Sequence, residues 1–152
     1  MPSLTTATEA DIPALSDLLS ILFTQEAEFK PDDDAQRRGL SMIIRNPHSG
    51  AILVAREGEQ VVAMVNLLFT VSTALGERVA LLEDMMVAPA ARGAGVGSAL
   101  LEHALAYAQQ QGARRVTLLT DHDNTAAQQF YAKAGFSRSP MVPMRRQLPT
   151  RA

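Results

Sequence analysis

Residues 92–97 read Arg-Gly-Ala-Gly-Val-Gly and join an apolar segment, residues 80–87, to an amphipathic segment that begins at Val96. Alternating glycines let backbone N–H groups approach an anion closely, because no side chain stands in the way. The first N–H groups of a helix have no intrahelical partner, and the helix dipole adds partial positive charge there. Arg92 adds a full positive charge beside the glycines. The stretch therefore predicts a strand, a phosphate-binding turn and a helix.

Together with the two segments that flank this turn, the chain shows ten segments that have either a clear helical period or an apolar run bounded by turn residues. They predict strands at 3–8, 51–56, 60–72, 80–87, 115–120 and from 136 onward, including 141–148, and helices at 12–25, 35–45, 96–110 and 124–134. Segment 115–120 is apolar on both faces, so we expect a central strand. The order predicts an α/β (α+β) fold with one mixed sheet and helices on its faces.

Two common nucleotide-binding motifs differ from this turn. A P-loop needs Gly-Lys-Ser/Thr, whereas Gly97 is followed by Ser98 and Ala99. A dinucleotide fingerprint reads G-x-G-x-x-G directly after its strand, whereas the spacing here is G-x-G-x-G and residues 88–92 intervene. Asp121 follows the next predicted strand and keeps a nicotinamide-dependent oxidoreductase open as an alternative. Glycines that serve only close packing are the structural alternative.

Composition excludes several kinds of site. The chain has 152 residues, a formal net charge of −2 and no cysteine, which rules out a disulfide, a thiolate metal site and a cysteine nucleophile. His48, His103 and His122 match no zinc spacing, so we expect no metal. The weak net charge predicts no binding to nucleic acid or to an anionic membrane. With no signal-peptide pattern and no apolar run of about 20 residues, the cytoplasm is the expected location.

Two motifs resemble those of the GNAT superfamily of acyl-CoA N-acyltransferases. Val87-Ala-Pro-Ala-Ala-Arg-Gly-Ala-Gly-Val-Gly97 is similar to V-x-P-x-x-R-G-x-G-x-G, and Asn124-Thr-Ala-Ala-Gln-Gln-Phe-Tyr-Ala-Lys-Ala-Gly-Phe136 is similar to N-x-x-A-x-x-F-Y-x-K-x-G-F. The resemblance implies a single GNAT-type domain over residues 1–152 and acetyl-CoA as co-substrate. It also implies a mixed, mostly antiparallel central sheet of about six to seven strands flanked by four helices.

The same resemblance implies how coenzyme A is held. The backbone N–H groups of residues 93–98 would bind its pyrophosphate. The pantetheine arm would run beside residues 85–87, where this strand and the next splay apart, and Asn124 would help to hold it. The residues expected at the coenzyme A site are Met85, Met86, Val87, Arg92, Gly93, Ala94, Gly95, Val96, Gly97, Ser98, Asn124 and Tyr131.

Acetyl transfer to an amine needs a base, a polarised carbonyl and an acid. By resemblance, the Tyr131 hydroxyl points at the coenzyme A sulfur and is the acid. Glu83, in an otherwise apolar strand, is the candidate base, and we expect burial to raise its pKa; binding of the ammonium alone is its alternative role. Asp84 is expected to point to the opposite face. A backbone N–H of Met86 or Val87 would polarise the carbonyl.

The expected acceptor is a primary amine of a small molecule or a peptide, acetylated by direct transfer in a ternary complex. Asp32–Asp34, with Glu26 and Glu28, are candidates for the acceptor site, a solvated loop with a helix cap being the alternative. For the whole chain, a coenzyme A-binding sensor without turnover stays open as an alternative. The last predicted strand is a candidate homodimer interface.

Overall fold

The computed structural model describes residues 2–26 and 29–151, in which a sheet of five strands is flanked by four α-helices. The strands are β1 (Ser3–Thr6), β2 (Gly50–Glu57), β3 (Gln60–Ser72), β4 (Glu77–Val87) and β5 (Val116–Leu118). The helices are α1 (Ile12–Gln25), α2 (Asp33–Ile44), α3 (Val96–Gln110) and α4 (Thr125–Lys133).

The strands lie in chain order from β1 to β5, and every neighbouring pair is antiparallel except the parallel pair of β4 and β5. Gly58 and Gly76 have φ of +62° and +67° in the turns that join β2 to β3 and β3 to β4. Glycine favours this left-handed backbone, so both turns form without strain. The predicted fold class, a mixed and mostly antiparallel sheet with four helices, is confirmed, with five strands rather than six to seven.

The difference lies at the carboxyl end, where the strand predicted to include residues 141–148 is wrong. Within the described chain, no helix or strand follows Lys133. Pro140 and Pro143 lack the N–H that a strand ladder needs. As a result β5 is the edge of the sheet rather than a central strand, and a homodimer through this segment stays a prediction. The large apolar side chains exposed in this segment are Met141, Val142, Met144 and Leu148.

Helices cover both faces of the sheet, and the strand side chains alternate between two cores. On one side, called here the α1–α2 face, helices α1 and α2 pack against Ile52, Met64 and Met86. On the other side, called the α3 face, helix α3 packs against Leu53 and Val65. Strands β2 and β3 are therefore buried on both sides, which explains their continuous apolar sequences.

Helix α2 begins two residues before its apolar period predicts, because Asp32 caps it. The Asp32 side chain accepts a hydrogen bond from Ala35 N at 3.1 Å. Asp33 accepts one from the Ser16 hydroxyl at 2.6 Å, and the buried Gln36 amide donates to Ser16 O at 3.0 Å. These contacts join α1 and α2 into one layer over the middle of the sheet.

Candidate functional site

The loop from β4 to α3 presents a row of backbone N–H groups. Gly93 and Gly95 have φ of +86° and +80°, and Gly95 is the N-cap of α3, with no side-chain cap. The N–H groups of residues 93–98 donate to no described residue, and the first bond of the helix runs from Ala99 N to Gly95 O at 3.1 Å. Six consecutive unpaired N–H groups at a helix N-terminus suit an anion such as a phosphate.

The third glycine of the loop serves close packing. A Cβ atom at Gly97 would lie 3.3 Å from Val87 Cγ2, 3.6 Å from Phe130 Cζ and 3.7 Å from Met85 Cε. Gly97 therefore lets α3 approach both β4 and α4. The packing role considered for the glycines applies to this one, whereas Gly93 and Gly95 have open space at the Cβ position and are required by their φ angles.

Arg92 fastens the loop to the end of β4. Its Nε donates to Val87 O at 3.1 Å, one of its terminal nitrogens lies 3.9 Å from Met86 Sδ, and the side chain as a whole is exposed. Since this bond holds the guanidinium at the entrance of the loop, the positive charge lies beside the row of free N–H groups. Arg92 is thus placed where a bound phosphate would meet it.

Strands β4 and β5 pair over only three residues and then separate. Their pairing ends at Leu82 and Leu118, so residues 83–87 have no partner strand on that side. At the same point, the register between β4 and β3 shifts between Met64 and Asn66, which marks a β-bulge. The splay that the family resemblance implies is therefore present, and a bulge in β4 accompanies it.

The bulge reverses the sides to which the backbone groups of β4 point. Before it, Ala80 N donates to Arg115 O, on the side of β5, at 2.9 Å. After it, Ala88 N donates to Val62 O, in β3, at 2.8 Å. In an unbroken strand, the N–H groups of two even-numbered residues point to the same side. Because those of Ala80 and Ala88 point to opposite sides, one extra residue lies between them.

This reversal distinguishes the two residues predicted to polarise the substrate carbonyl. The N–H of Ala88 points to β3, and successive N–H groups alternate between the two sides of a strand. The N–H of Met86 therefore also points to β3, and that of Val87 points into the gap between β4 and β5. Val87 N–H is therefore open to a ligand in the gap. Met86 instead places its side chain in the core of the α1–α2 face.

The bulge also turns Asp84 toward the α1–α2 face. Asp84 has a φ of +55°, a left-handed conformation. Asn66 lies directly across the strand from Glu83, and its Nδ2 donates to Asp84 Oδ2 at 2.7 Å. Glu83 and Asp84 therefore lie on the same side of the sheet. The prediction that Asp84 points to the opposite face is wrong, because the bulge interrupts the alternation of the strand.

Asp84 has the burial and the raised pKa that were predicted for Glu83. Burial, together with the negative charges of Glu83 and Glu26, raises the pKa of the Asp84 carboxyl to about 6, although the hydrogen bond from Asn66 opposes this. The Glu83 side chain is exposed, so its predicted burial is wrong. A carboxyl pKa near 6 suits a group that takes up a proton close to neutral pH.

A cavity of about 260 Å³ lies beside Asp84 on the α1–α2 face. Asp84 and Asn66 line it from the sheet, and its walls come from α1, α2 and three residues that precede α2, namely Phe29, Lys30 and Asp32. Asn66 is only 4% exposed, and its Oδ1 is buried without a hydrogen-bond partner among the described residues. Sequence reasoning missed Asn66, whose only signal was a polar residue in the middle of a long apolar strand.

Tyr131 lies on α4 in a cluster of aromatic rings. Its ring centroid is 5.2 Å from that of Phe130 and 5.7 Å from that of Phe136, both edge-on. Burial raises the pKa of the Tyr131 hydroxyl to about 12, so this group stays protonated at neutral pH. Within residues 2–26 and 29–151 the hydroxyl has no hydrogen-bond partner, which leaves its proton free to be donated.

Among the other residues predicted for the site, one caps a helix and two lie near the cavity or Asp84. Asn124 caps α4, since its Oδ1 accepts from Ala127 N at 3.1 Å. Among the acidic residues proposed for the acceptor site, Asp32 lines the cavity and Glu26 contributes charge at Asp84. Glu28 lies outside the described residues.

Replacing Asp84 with asparagine is expected to stabilise the folded protein. The folded-state pKa of about 6 is above the ordinary 3.8, so the folded state holds this proton more tightly than the unfolded chain does. The stabilising contribution of the neutral carboxyl is complete below pH 3.8 and is lost as the pH rises through about 6. The difference between about 6 and 3.8 corresponds to about 3 kcal/mol, and the partial exposure of Asp84 reduces this effect. Above that pH, Asp84→Asn should therefore raise the free energy of unfolding by about 1–2 kcal/mol.

Urea unfolding between about pH 5 and pH 8 would measure this effect. The gain for Asp84→Asn should be larger at the alkaline end of that range. A gain that is independent of pH, or a loss of stability at the alkaline end, would contradict the assignment of a buried, strained carboxylate.

None of the helices in the described part of the chain is long and apolar enough to cross a membrane. Among residues 2–26 and 29–151, no group of three or more histidine, aspartate or glutamate side chains could hold a metal ion.

Comparison with known proteins identifies the family. The Acetyltransferase (GNAT) family matches residues 12–136. The uncharacterized N-acetyltransferase YhfO of Bacillus subtilis (strain 168) is 35% identical over 117 residues, which cover 76% of this chain and 78% of that protein. The aminoalkylphosphonate N-acetyltransferase of Salmonella typhimurium is 29% identical over 133 residues, which cover 88% and 83%.

A solved structure agrees with these relatives. The integron cassette protein HFX_CASS3, from the mobile metagenome of Cole Harbour Salt Marsh, has a TM-score of 0.83 at 28% identity over 97% of this chain and 91% of that chain. The chain belongs to the GNAT acetyltransferase family, as its two motifs indicated, and is an acyltransferase. Members of this family use acetyl-CoA as co-substrate and act on amine acceptors.

Proposed function

We propose that this enzyme transfers the acetyl group of acetyl-CoA directly to a primary amine of a small molecule or a peptide in a ternary complex. The observation that carries the proposal is the bulge at Asp84. It coincides with the gap between β4 and β5, and it places a carboxyl group with a pKa of about 6 beside a cavity on the α1–α2 face. A donor in the gap and an acceptor in the cavity would meet at this point.

The free N–H groups of residues 93–98 support binding of the pyrophosphate of acetyl-CoA. From this loop, the gap leads back along β4 from Val87 to Asp84, three residues or about 10 Å in an extended strand. A flexible arm in the gap would reach the bulge. No lysine follows Gly97, so the turn lacks the side chain of a P-loop.

When bound, acetyl-CoA supplies a thioester whose carbonyl carbon is attacked by the amine. Asp84, ionised above pH 6, takes the proton that the amine loses as the new C–N bond forms. Val87 N–H donates a hydrogen bond to the carbonyl oxygen, on which negative charge develops. Tyr131 donates its hydroxyl proton or a hydrogen bond to the sulfur as the C–S bond breaks. The products are an acetamide and coenzyme A.

The pKa values define the role of Tyr131 more closely. A thiol has an ordinary pKa of about 8.5, well below the value of about 12 for Tyr131. Complete proton transfer from tyrosine to the leaving thiolate is therefore unfavourable. A hydrogen bond to that thiolate has no such cost, so we assign Tyr131 to charge stabilisation at the sulfur, with solvent supplying the final proton.

The test uses the purified chain with acetyl-CoA and a panel of primary amines and short peptides. Release of free thiol, matched by an amine product heavier by one acetyl group, is the expected result. Calorimetry with acetyl-CoA and with NADH accompanies the assay. Binding of acetyl-CoA without acetylation of any amine would favour the coenzyme A-binding sensor, whereas binding of NADH alone would favour the oxidoreductase.

A further inference from the structure

We propose that the cavity beside Asp84 selects a primary amine carried on a compact apolar group, such as a phenethyl group, and disfavours amines that carry an anion. This inference rests on the proposed function, because it assigns the acceptor class of the same site. It depends on three features of the cavity: its apolar walls, the carboxyl group of Asp84 at its floor and its negative charge.

The walls of the cavity are mainly apolar. Leu19 and Phe23 contribute from α1, Leu40 and Ile43 from α2, and Phe29 from the segment between the helices. The rings of Phe23 and Phe29 lie 5.5 Å apart between centroids, and Phe29 is 47% exposed, which places it at the rim. An aromatic or branched alkyl group could leave water here, which is favourable by about 1.5–3 kcal/mol for a side chain of that size.

The floor of the cavity presents the carboxyl group of Asp84 as a hydrogen-bond acceptor. Asn66 uses Nδ2 to bind Asp84, so its amide orientation is fixed by the carboxylate. Asp84 accepts only the bond from Asn66 among the described residues. An ammonium or amine group carries N–H donors that the Asp84 carboxyl group can still accept.

The charge around the floor is negative. The carboxylates of Glu83 and Glu26 both raise the pKa of Asp84, which shows that their fields reach it. Asp32 also lines the cavity, as does one cation, Lys30, whose side chain is exposed. A cationic amine is therefore attracted to the cavity. A phosphonate or carboxylate on the acceptor is repelled, because the acidic groups named here outnumber the basic Lys30. The acceptor proposed here therefore differs from the aminoalkylphosphonate in the name of the Salmonella relative.

Gly39 gives a direct test, because it lines the cavity from α2 and a Cβ atom there would meet nothing within 4 Å. Gly39→Leu should reduce the cavity volume from a position where the Cβ atom has open space, and leucine is also the better helix former. The matched control is Arg38→Leu, which puts the same side chain at an exposed neighbouring position of α2. A Tm not below that of the wild type would show that Gly39→Leu is folded.

The experiment compares kcat/KM for phenethylamine, ethylamine and aminoethylphosphonate. For the wild type we expect phenethylamine to exceed ethylamine about 10- to 150-fold, from burial of the ring, and aminoethylphosphonate to be the poorest of the three. In Gly39→Leu the ratio of phenethylamine to ethylamine should fall at least about 10-fold, whereas in Arg38→Leu it should equal the wild-type ratio.

The outcomes separate this proposal from the general one. If amines are acetylated but aminoethylphosphonate is preferred, or if Gly39→Leu leaves the ratio unchanged, the apolar subsite is refuted and the acetyltransferase function stands. If acetyl-CoA binds and no amine is acetylated, the proposed function itself fails, and the inference fails with it.

Discussion

Asp84→Asn is expected to lower kcat for amine acetylation by about 100- to 10,000-fold, the range typical for loss of a general base. Asparagine has nearly the same shape, tolerates the left-handed backbone at φ +55° and can still contact Asn66. It cannot take a proton from the amine. The same substitution that stabilises the fold should thus remove most of the activity.

The pH profile gives a second readout for Asp84. In the wild type, kcat should rise as the pH increases through about 6, because the base must be ionised to act. This acid limb should be absent from the residual activity of Asp84→Asn. Binding of acetyl-CoA, measured by calorimetry, should be close to the wild-type value, since the free N–H groups of residues 93–98 lie elsewhere.

Glu83→Gln is the companion variant, because it separates the two candidate bases. Removing the Glu83 charge should lower the pKa of Asp84 and move the acid limb to lower pH, with a far smaller loss of kcat. If Glu83→Gln instead loses activity by the larger factor while Asp84→Asn retains it, then Glu83 is the base, as the sequence first suggested.

Tyr131→Phe should lower kcat by about 10- to 150-fold, the effect of losing one hydrogen bond to a charged group. The aromatic contacts with Phe130 and Phe136 do not involve the hydroxyl and should persist, so stability should change little. The KM for acetyl-CoA should also be nearly unchanged. This separation of kcat from KM distinguishes a role at the leaving sulfur from a packing role.

A leaving group of lower pKa tests the same assignment. An activated acetyl thioester, whose thiolate needs less stabilisation, should show a much smaller ratio of wild-type to Tyr131→Phe turnover than acetyl-CoA does. Unchanged turnover of acetyl-CoA in Tyr131→Phe would refute the role.

The half of the proposed site that would bind the co-substrate could be recognised in the sequence because its signals are local. Gly93, Gly95 and Gly97 lie within five residues, and each reports a backbone or packing requirement at its own position. The second motif, from Asn124 to Phe136, is equally continuous. A pattern confined to one turn and one helix needs no knowledge of the rest of the fold.

The prediction that Glu83 is the buried carboxyl of this strand was wrong, because the strand rule assumes unbroken alternation. Glu83 and Asp84 are neighbours, and a regular strand would put them on opposite faces. The extra residue at the bulge places both on the α1–α2 face and buries Asp84 rather than Glu83. Aspartate does tolerate a left-handed backbone, but it occurs far more often where no bulge exists, so the sequence alone carries little signal.

The cavity was not predictable, since its walls come from four separate elements. Leu19, Leu40, Asn66 and Asp84 lie far apart in the chain and meet only when α1 and α2 pack on β3 and β4. Each is unremarkable in its own segment. The missing last strand has a similar cause: an apolar run predicts a strand, but prolines within it prevent the pairing that makes one.

The two halves of the proposed site lie at different parts of β4, the cavity on its α1–α2 face and the glycine loop beyond its end, and this bears on how such an enzyme diverges. Mutations in α1 and α2 reshape the cavity wall without touching the glycine loop, which lies beyond the end of β4. The acceptor specificity can therefore change during evolution while the proposed coenzyme A site stays the same. Asp84 limits this freedom, because it forms the bulge and also lines the floor of the cavity, so only a residue that tolerates a left-handed backbone can replace it there.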